Sequence, residues 1–313
     1  MAPWMSSGLI YASGLALTAG SITLLYIVTR TFNFAVASMA TIGFYVVYTG
    51  VTLFGGLPYQ YYPFVLIIGA ITGVICYYGL NRPLLYRKAA ETTLMMSTLG
   101  YDLILLSLIQ MYADFLTYNF KLFPRRVTMS LFDFELFGER AAAFILPVIA
   151  IGFLMILHFF LTKTKFGIAM RATIENPTLA GASGINSDRV YLVSWIISGG
   201  MASLGGAFMV MAMTGTPVMG MYTIPLMFAG AILGGLGNIY GGILGGMVIG
   251  LTEYAGVYLL AQQFGPWVLG YRMGIPLFIM AATLLVFPRG LSGIPLGKII
   301  KNLFAGQKRG ASV

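Results

Sequence analysis

Nine apolar runs, most of them close to 20 residues and parted by short polar breaks, constrain this chain more than anything else in it. A membrane-crossing helix needs about 20 mostly apolar residues, whereas a membrane barrel alternates in segments of roughly ten. The runs read as spans near 8–29, 34–54, 62–80, 94–117, 141–162, 191–213, 223–237, 242–262 and 270–287. Inside hydrocarbon no water can satisfy backbone N–H and C=O groups, so the chain there must bond to itself as helix. The expectation is an all-α polytopic transmembrane bundle of eight to ten spans, with residues 1–313 forming one domain. The second run is rich in small residues and the seventh is short, so these two are expected to be broken or re-entrant.

Composition narrows the function. Hydrophobic residues make up 58% of the chain and charged ones 9%, which leaves no room for a soluble catalytic domain. A net charge of +9 would suit nucleic acid, but basic residues also gather in the cytoplasmic loops of membrane proteins. If Arg30, residues 81–93, residues 163–190 and the tail share one side, that side holds 13 of the 18 Lys and Arg. It is therefore read as cytoplasmic, with the N-terminus outside and a basic C-terminal tail, 288–313, inside. Lys298, Lys301, Lys308 and Arg309 would hold that tail near anionic lipid. The N-terminus lacks the basic start of a cleavable signal, so the first span is expected to stay. One His and one Cys, with few intramembrane carboxylates, give no nucleophile–base pair and no metal set, so an enzyme is not expected.

Gly167–Val190 is polar and charged in an otherwise lipid-soluble chain, carrying Arg171, Glu175, Asp188 and Arg189. Asn176 can cap free N–H groups and Pro177 suits a first helical position. Gly184 accepts the left-handed conformation that ends a helix. The predicted product, over 177–183, is too short to be stable alone, which points to something docking on it.

Other polar or glycine-rich positions are candidates for a transport pathway. Asn33-Phe34-Ala35-Val36-Ala37-Ser38 sets small residues beside one Asn where a span begins. Gly241, Gly245, Gly242, Gly246 and Gly250 recur every four residues, a pattern that lets helix backbones approach closely. Ahead of them Gly234-Gly235-Leu236-Gly237-Asn238 reads as an unwound break, tolerated at membrane depth only inside protein or along a water-filled cavity. Glu253 lies within a span and is expected to face the bundle interior, lining a pathway or pairing structurally. Asp102 reads as hydrated at the interface and Arg272 as snorkelling near the outer end of the last span. The 118–140 segment, which alternates aromatic and charged residues, reads as a solvated external connection, with a surface-lying segment or a docking face as the alternatives.

Four stretches, in order, resemble the permease subunits of ATP-binding-cassette importers for branched-chain amino acids, of the H type. They are Asn33-Phe34-Ala35 with Gly43 and Tyr45; Arg171-Ala172-Thr173 through Asn176-Pro177 to Gly184–Val190; Leu233–Asn238 with Gly241, Gly245, Gly246, Gly250 and Glu253; and Tyr271-Arg272 with Phe287–Leu291. Where the family has His-Gly-Glu after Asn-Phe-Ala, this chain has Val36-Ala37-Ser38. The resemblance implies a second related permease subunit, two separate ATPase subunits and an extracytoplasmic substrate-binding protein, in the inner membrane. The chain has no phosphate-binding G-x-x-x-x-G-K-[ST] loop, so ATP and Mg would sit on the partners. It also implies that Arg171, Asn176, Pro177, Thr178, Leu179, Ala180, Gly184, Asp188 and Arg189 couple to an ATPase. Asn33, Phe34, Ser38, Gly234, Gly235, Gly237, Asn238 and Glu253 remain the pathway candidates. The rival readings are an ion-coupled secondary transporter, supported by Glu253 and the 234–238 break, and a non-transporting membrane scaffold.

Overall fold

A computed structural model describes residues 3–286 and Gly290. The basic tail and all of the Phe287–Leu291 motif except Gly290 lie outside the described residues. Twelve α-helices occur among the described residues: α1 Pro3–Thr29, α2 Val36–Phe54, α3 Tyr62–Cys76, α4 Arg82–Tyr86, α5 Glu91–Phe120, α6 Ala142–Lys163, α7 Lys165–Glu175, α8 Pro177–Ala182, α9 Ser187–Met209, α10 Met219–Gly234, α11 Ile239–Phe264 and α12 Gly274–Val286. Seven apolar helical stretches are long enough to cross a membrane, α3 and α4 forming one of them, and α10 and α12 are shorter apolar helices.

The second run forms an unbroken helix, α2, of 19 residues, so its small residues mark packing and not a break. The seventh is short, as its length implied, but ends at Gly234 because Gly235 turns to φ 99°. The ninth is shorter than expected: a 3-10 turn over Pro266–Tyr271 precedes it, and α12 has 13 described residues.

The core is built around α1 and α9. Their apolar stretches are 83% and 78% buried, against 33% for α5 and 22% for α6, so the last two form the periphery. α1 packs chiefly on α11 and α9, and α9 also packs on α3 and α2. Small residues make these crossings possible. Added Cβ atoms at Gly242, Gly246 and Gly250 would press into α1 at Thr23, Leu15–Ala16 and Ala12. At Gly241's helical neighbour Gly245 the obstruction is α10, at Gly230 and Gly234. The glycine repeat thus serves two neighbours from two faces of α11. A few hydroxyls bridge the same crossings, as where Ser21 of α1 and Ser198 of α9 meet at 3.0 Å.

The 118–140 segment is exposed over most of its length, as expected of a solvated connection, but it is tied to the bundle at a few points. Phe137 and Gly138, both at positive φ, turn a two-residue hairpin between β1 Glu135–Leu136 and β2 Glu139–Arg140. Asp133 accepts bonds from the Tyr59 hydroxyl at 2.6 Å and the Ala142 N–H at 3.0 Å. Arg140 donates to the Met211 carbonyl at 3.2 Å and to Ser7, and Val127 pairs with Gly215 backbone to backbone. Only the fold reveals these ties of Asp133, Arg140 and Val127 to residues remote in sequence.

Candidate coupling loop and polar sites of the bundle

At the opposite end, residues 163–190 form a helical hairpin-like unit with three side-chain caps. Thr164 accepts from the Gly167 N–H at 3.1 Å and starts α7. Asn176 accepts from the N–H groups of Thr178 and Leu179 at 3.1 and 3.0 Å, with Pro177 in the first turn of α8. Asn186 accepts from the Arg189 N–H at 3.2 Å and starts α9. The end of α8 is closed by two reversed bonds, Ile185 N–H to the Ala180 carbonyl and Gly184 N–H to the Gly181 carbonyl, each 3.0 Å. That arrangement requires the left-handed Gly184, at φ +82°.

The result is a rigid outward display. Ala180 is buried at 4% exposure while Leu179, beside it, is 65% exposed. Asn176, Pro177 and Thr178 are exposed with it, as are Arg171 and Arg189. Asp188 faces inward instead. Its Oδ1 accepts from Arg82 Nε at 3.0 Å and from the Tyr77 hydroxyl at 2.6 Å. Tyr77 begins a π turn, Tyr77–Asn81, just ahead of Pro83, which has no N–H to continue an ordinary α ladder. Arg82 is stacked over Tyr78 and Tyr86, at 5.2 and 5.5 Å from their ring centres. Tyr77, Arg82, Tyr86 and the start of α9 line a cavity of about 380 Å³ beside α8. No local signal in the sequence marks Tyr77 and Arg82, because their shared partner Asp188 lies more than 100 residues away.

The pathway candidates do not form one site. Asn33, Phe34 and Ser38 lie where α1 passes into α2. The Ser38 N–H donates to Asp102 Oδ1 at 2.9 Å, the Ser38 hydroxyl to the Asp102 carbonyl at 3.1 Å, and the Phe34 N–H to Thr98 Oγ1 at 3.2 Å. Asp102 therefore caps the N-terminus of α2 from α5, and is not merely a hydrated interfacial group. Asn33, 2% exposed, accepts from the Ala35 N–H, while its buried Nδ2 has no partner among the described residues. Gly234 and Gly235 are buried, and Gly237 and Asn238 exposed, where α10 passes into α11. Asn238 caps α11 through the Tyr240 N–H at 3.0 Å. Tyr240 in turn meets His158 at 2.7 Å.

Glu253 sits toward the far end of α1, where the neighbouring Tyr254 packs on Tyr11 at 5.2 Å. Its side chain, 1% exposed, accepts from Arg272 Nε at 2.8 Å. Arg272 is thus turned into the protein and does not snorkel. Buried carboxylates are costly unless paired, and this pairing is what holds Glu253 in place.

Comparisons with known proteins place these features in a family. A family described as the branched-chain amino acid transport system permease component matches residues 4–284. A protein named as a probable branched-chain amino acid transport permease, LivH of Methanocaldococcus jannaschii, is 40% identical over 295 residues, covering 94% of this chain and 93% of its own length. The high-affinity branched-chain amino acid transport permease BraD of Pseudomonas aeruginosa is 24% identical over 310 residues, 92% of this chain and 94% of BraD. LivH of Escherichia coli K12 is 29% identical over 143 residues, 45% of this chain and 44% of its own. No solved structure matches the chain. On the family match over residues 4–284, this multi-pass membrane protein belongs to the permease components of branched-chain amino acid transport systems.

Proposed function

We propose that this chain is the membrane-spanning half of an ATP-driven importer for branched-chain or closely related amino acids. A second, related permease subunit would complete the pathway, two separate ATPase subunits would hold ATP and Mg, and an extracytoplasmic binding protein would deliver the substrate. Substrate class is supported by the names of the relatives, among them LivH and BraD. In this reading the α7–α8 end faces the cytoplasm of the inner membrane and the β1–β2 hairpin faces outward, which agrees with the distribution of Lys and Arg.

The observation that carries the proposal is the double-capped α8, with Leu179 exposed above a buried Ala180. Six residues cannot hold a helix alone, yet here both ends are locked by side-chain and backbone bonds. Such a helix is a rigid tooth for a groove on an ATPase, with Arg171 and Arg189 beside it. Asp188 carries its movement inward to Arg82 and Tyr77. Asn33, Phe34, Ser38 and Gly234–Asn238 would form the inner end of the pathway and Glu253 its outer part, opened in turn by alternating access.

The test is copurification and coupled uptake. Arg189→Glu and Ala180→Pro should each abolish ATPase copurification and ATP-driven uptake while the chain still inserts and remains monodisperse. Retention of both activities by both variants would remove the coupling role from α8. Uptake driven by an ion gradient in vesicles holding this chain alone would replace the whole reading with ion-coupled transport.

A further inference from the structure

A lateral groove of about 680 Å³ lies between α2, α3 and α5, and none of the coupling or pathway candidates lines it. Val46, Leu105 and Ile109 are its more buried wall. Its rim is open: Phe54, Phe64 and Leu108 are 82%, 58% and 54% exposed. No charged residue lines it, and its four hydroxyls are already in use. Tyr45 donates to the Pro124 carbonyl at 2.8 Å, Thr49 and Tyr112 share a bond of 2.8 Å, and Tyr61 donates to the Gly55 carbonyl at 2.6 Å. A polar solute entering here would shed water and gain little in return, so the groove suits an apolar occupant.

Its length says which one. Along α2 it runs from Ile42 to Phe54, 12 residues apart, or about 18 Å at the helical rise. One leaflet holds about 15 Å of hydrocarbon, half the depth of the bilayer core. The groove is thus as long as one lipid chain is deep, and too short for a helix that crosses the membrane. The Phe54–Tyr61 end lies on the side of the β1–β2 hairpin, where Tyr59 bonds Asp133. The Tyr45–Pro124 bond brings the chain around Lys121, Arg125 and Arg126 to the same side. Arg125 is paired with Asp114, whereas Lys121 and Arg126 are exposed and have no ion-pair partner among the described residues.

We propose that this groove holds one acyl chain of an anionic phospholipid from the leaflet on the hairpin side, with the headgroup phosphate on Lys121 and Arg126. Passing from bulk lipid into the groove gains no hydrophobic free energy, because both surroundings are apolar. Retention therefore rests on packing along the groove and on the two cations. Each basic residue beside an anionic headgroup strengthens binding about fivefold, so the two together exceed tenfold. A zwitterionic headgroup on the same chains carries its own cation and gains less.

The test places the full-length chain in phosphatidylcholine nanodiscs doped with a trace of phosphatidylglycerol bearing a photoactivatable diazirine in one chain, or with the matching phosphatidylcholine. Mass spectrometry then locates the label. The ratio of phosphatidylglycerol to phosphatidylcholine labelling at Phe64, Ile68 and Leu108 should be at least about fivefold higher than at Val148 and Ile151, exposed residues of α6. Lys121→Asn combined with Arg126→Gln should bring the groove down to the α6 ratio, Asn being suited to the left-handed position of Lys121, φ 54°. Leu108→Trp, at the exposed rim, should reduce groove labelling by both lipids. Equal ratios at the groove and at α6 in the wild type would overturn the site, as would a preference that survives loss of both cations. Should the double variant fail to fold, the wild-type preference should still fall at high salt, and a salt-independent ratio would overturn the headgroup contact. Groove residues left unlabelled by both lipids and cross-linked to a second copy of the chain would make this face a protein interface and overturn the lipid.

Discussion

Asp188 Oδ1 and Arg82 Nε meet at 3.0 Å, and this bond ties the start of α9 to α4 across more than 100 residues of sequence. The Tyr77 hydroxyl joins the same oxygen at 2.6 Å from the π turn. If α8 couples to an ATPase as proposed, a push on it would be delivered to two helices, α9 directly and α3–α4 through Asp188. Replacing Asp188 by Asn or Arg82 by Gln should lower ATP-driven uptake more than it lowers folding stability. Because both side chains are partly exposed, the stability loss should be small. Thermal unfolding and uptake measured on the same preparations separate the two effects. Equal proportional losses would show that the bond only holds the fold.

The trans cap from Asp102 to Ser38 leads to a different expectation. Asp102→Ala leaves the Ser38 N–H without its acceptor and removes a negative charge from the start of α2. The expected cost is about 1–2 kcal/mol, typical of a lost N-cap carrying charge. Asp102→Asn, which keeps an acceptor oxygen, should recover at least part of it. The unfolding midpoints of the two variants in detergent provide the comparison, and a midpoint for Asp102→Ala equal to wild type would remove the cap from the account of α2.

Glycines in this chain differ sharply in what a side chain would meet. A Cβ at Gly69 would lie 2.5 Å from the Gly199 carbonyl oxygen, and one at Gly199 would run into the Gly69 carbonyl. Gly69→Val or Gly199→Val must part α3 from α9, so monodisperse protein should be lost. Nothing lies within 4 Å of the corresponding position at Gly152 or Gly237, and neither has a positive φ. Ala there should be tolerated, with a change in stability below about 1 kcal/mol, as for substitutions that meet no packed neighbour. Size-exclusion profiles of the four variants check this contrast.

Gly184 is open in space but not in conformation. No atom lies within 4 Å of an added Cβ, yet φ is +82°. Gly184→Val should therefore be destabilising through the backbone alone, by about 1–2 kcal/mol. Its effect should fall on α8, so hydrogen exchange at Ser183–Ile185 should rise while exchange in α1 and α9 stays unchanged. Faster exchange throughout the bundle would place the strain elsewhere.

Sequence alone determined what depends on neighbours in the chain. Apolar run length set the nine apolar helices among the described residues, Asn176-Pro177 and Gly184 set the bounds of α8, and Gly235 stopped α10. These are local effects: hydrophobic transfer, a side chain reaching its own backbone, and the steric freedom of one residue. Tertiary structure decided where charged groups went. Asp102 caps a helix 64 residues away, Asp188 reaches Arg82, Arg272 folds inward onto Glu253, and Asp133 gathers the 118–140 segment. In each case a partner of the carboxylate lies well away in sequence, and a carboxylate withdrawn in part or in full from water takes whichever donor the packing brings to it. The same reason split the pathway candidates between the two ends of α1: their residue types signalled cost in lipid, but only helix packing could say which of them share a space.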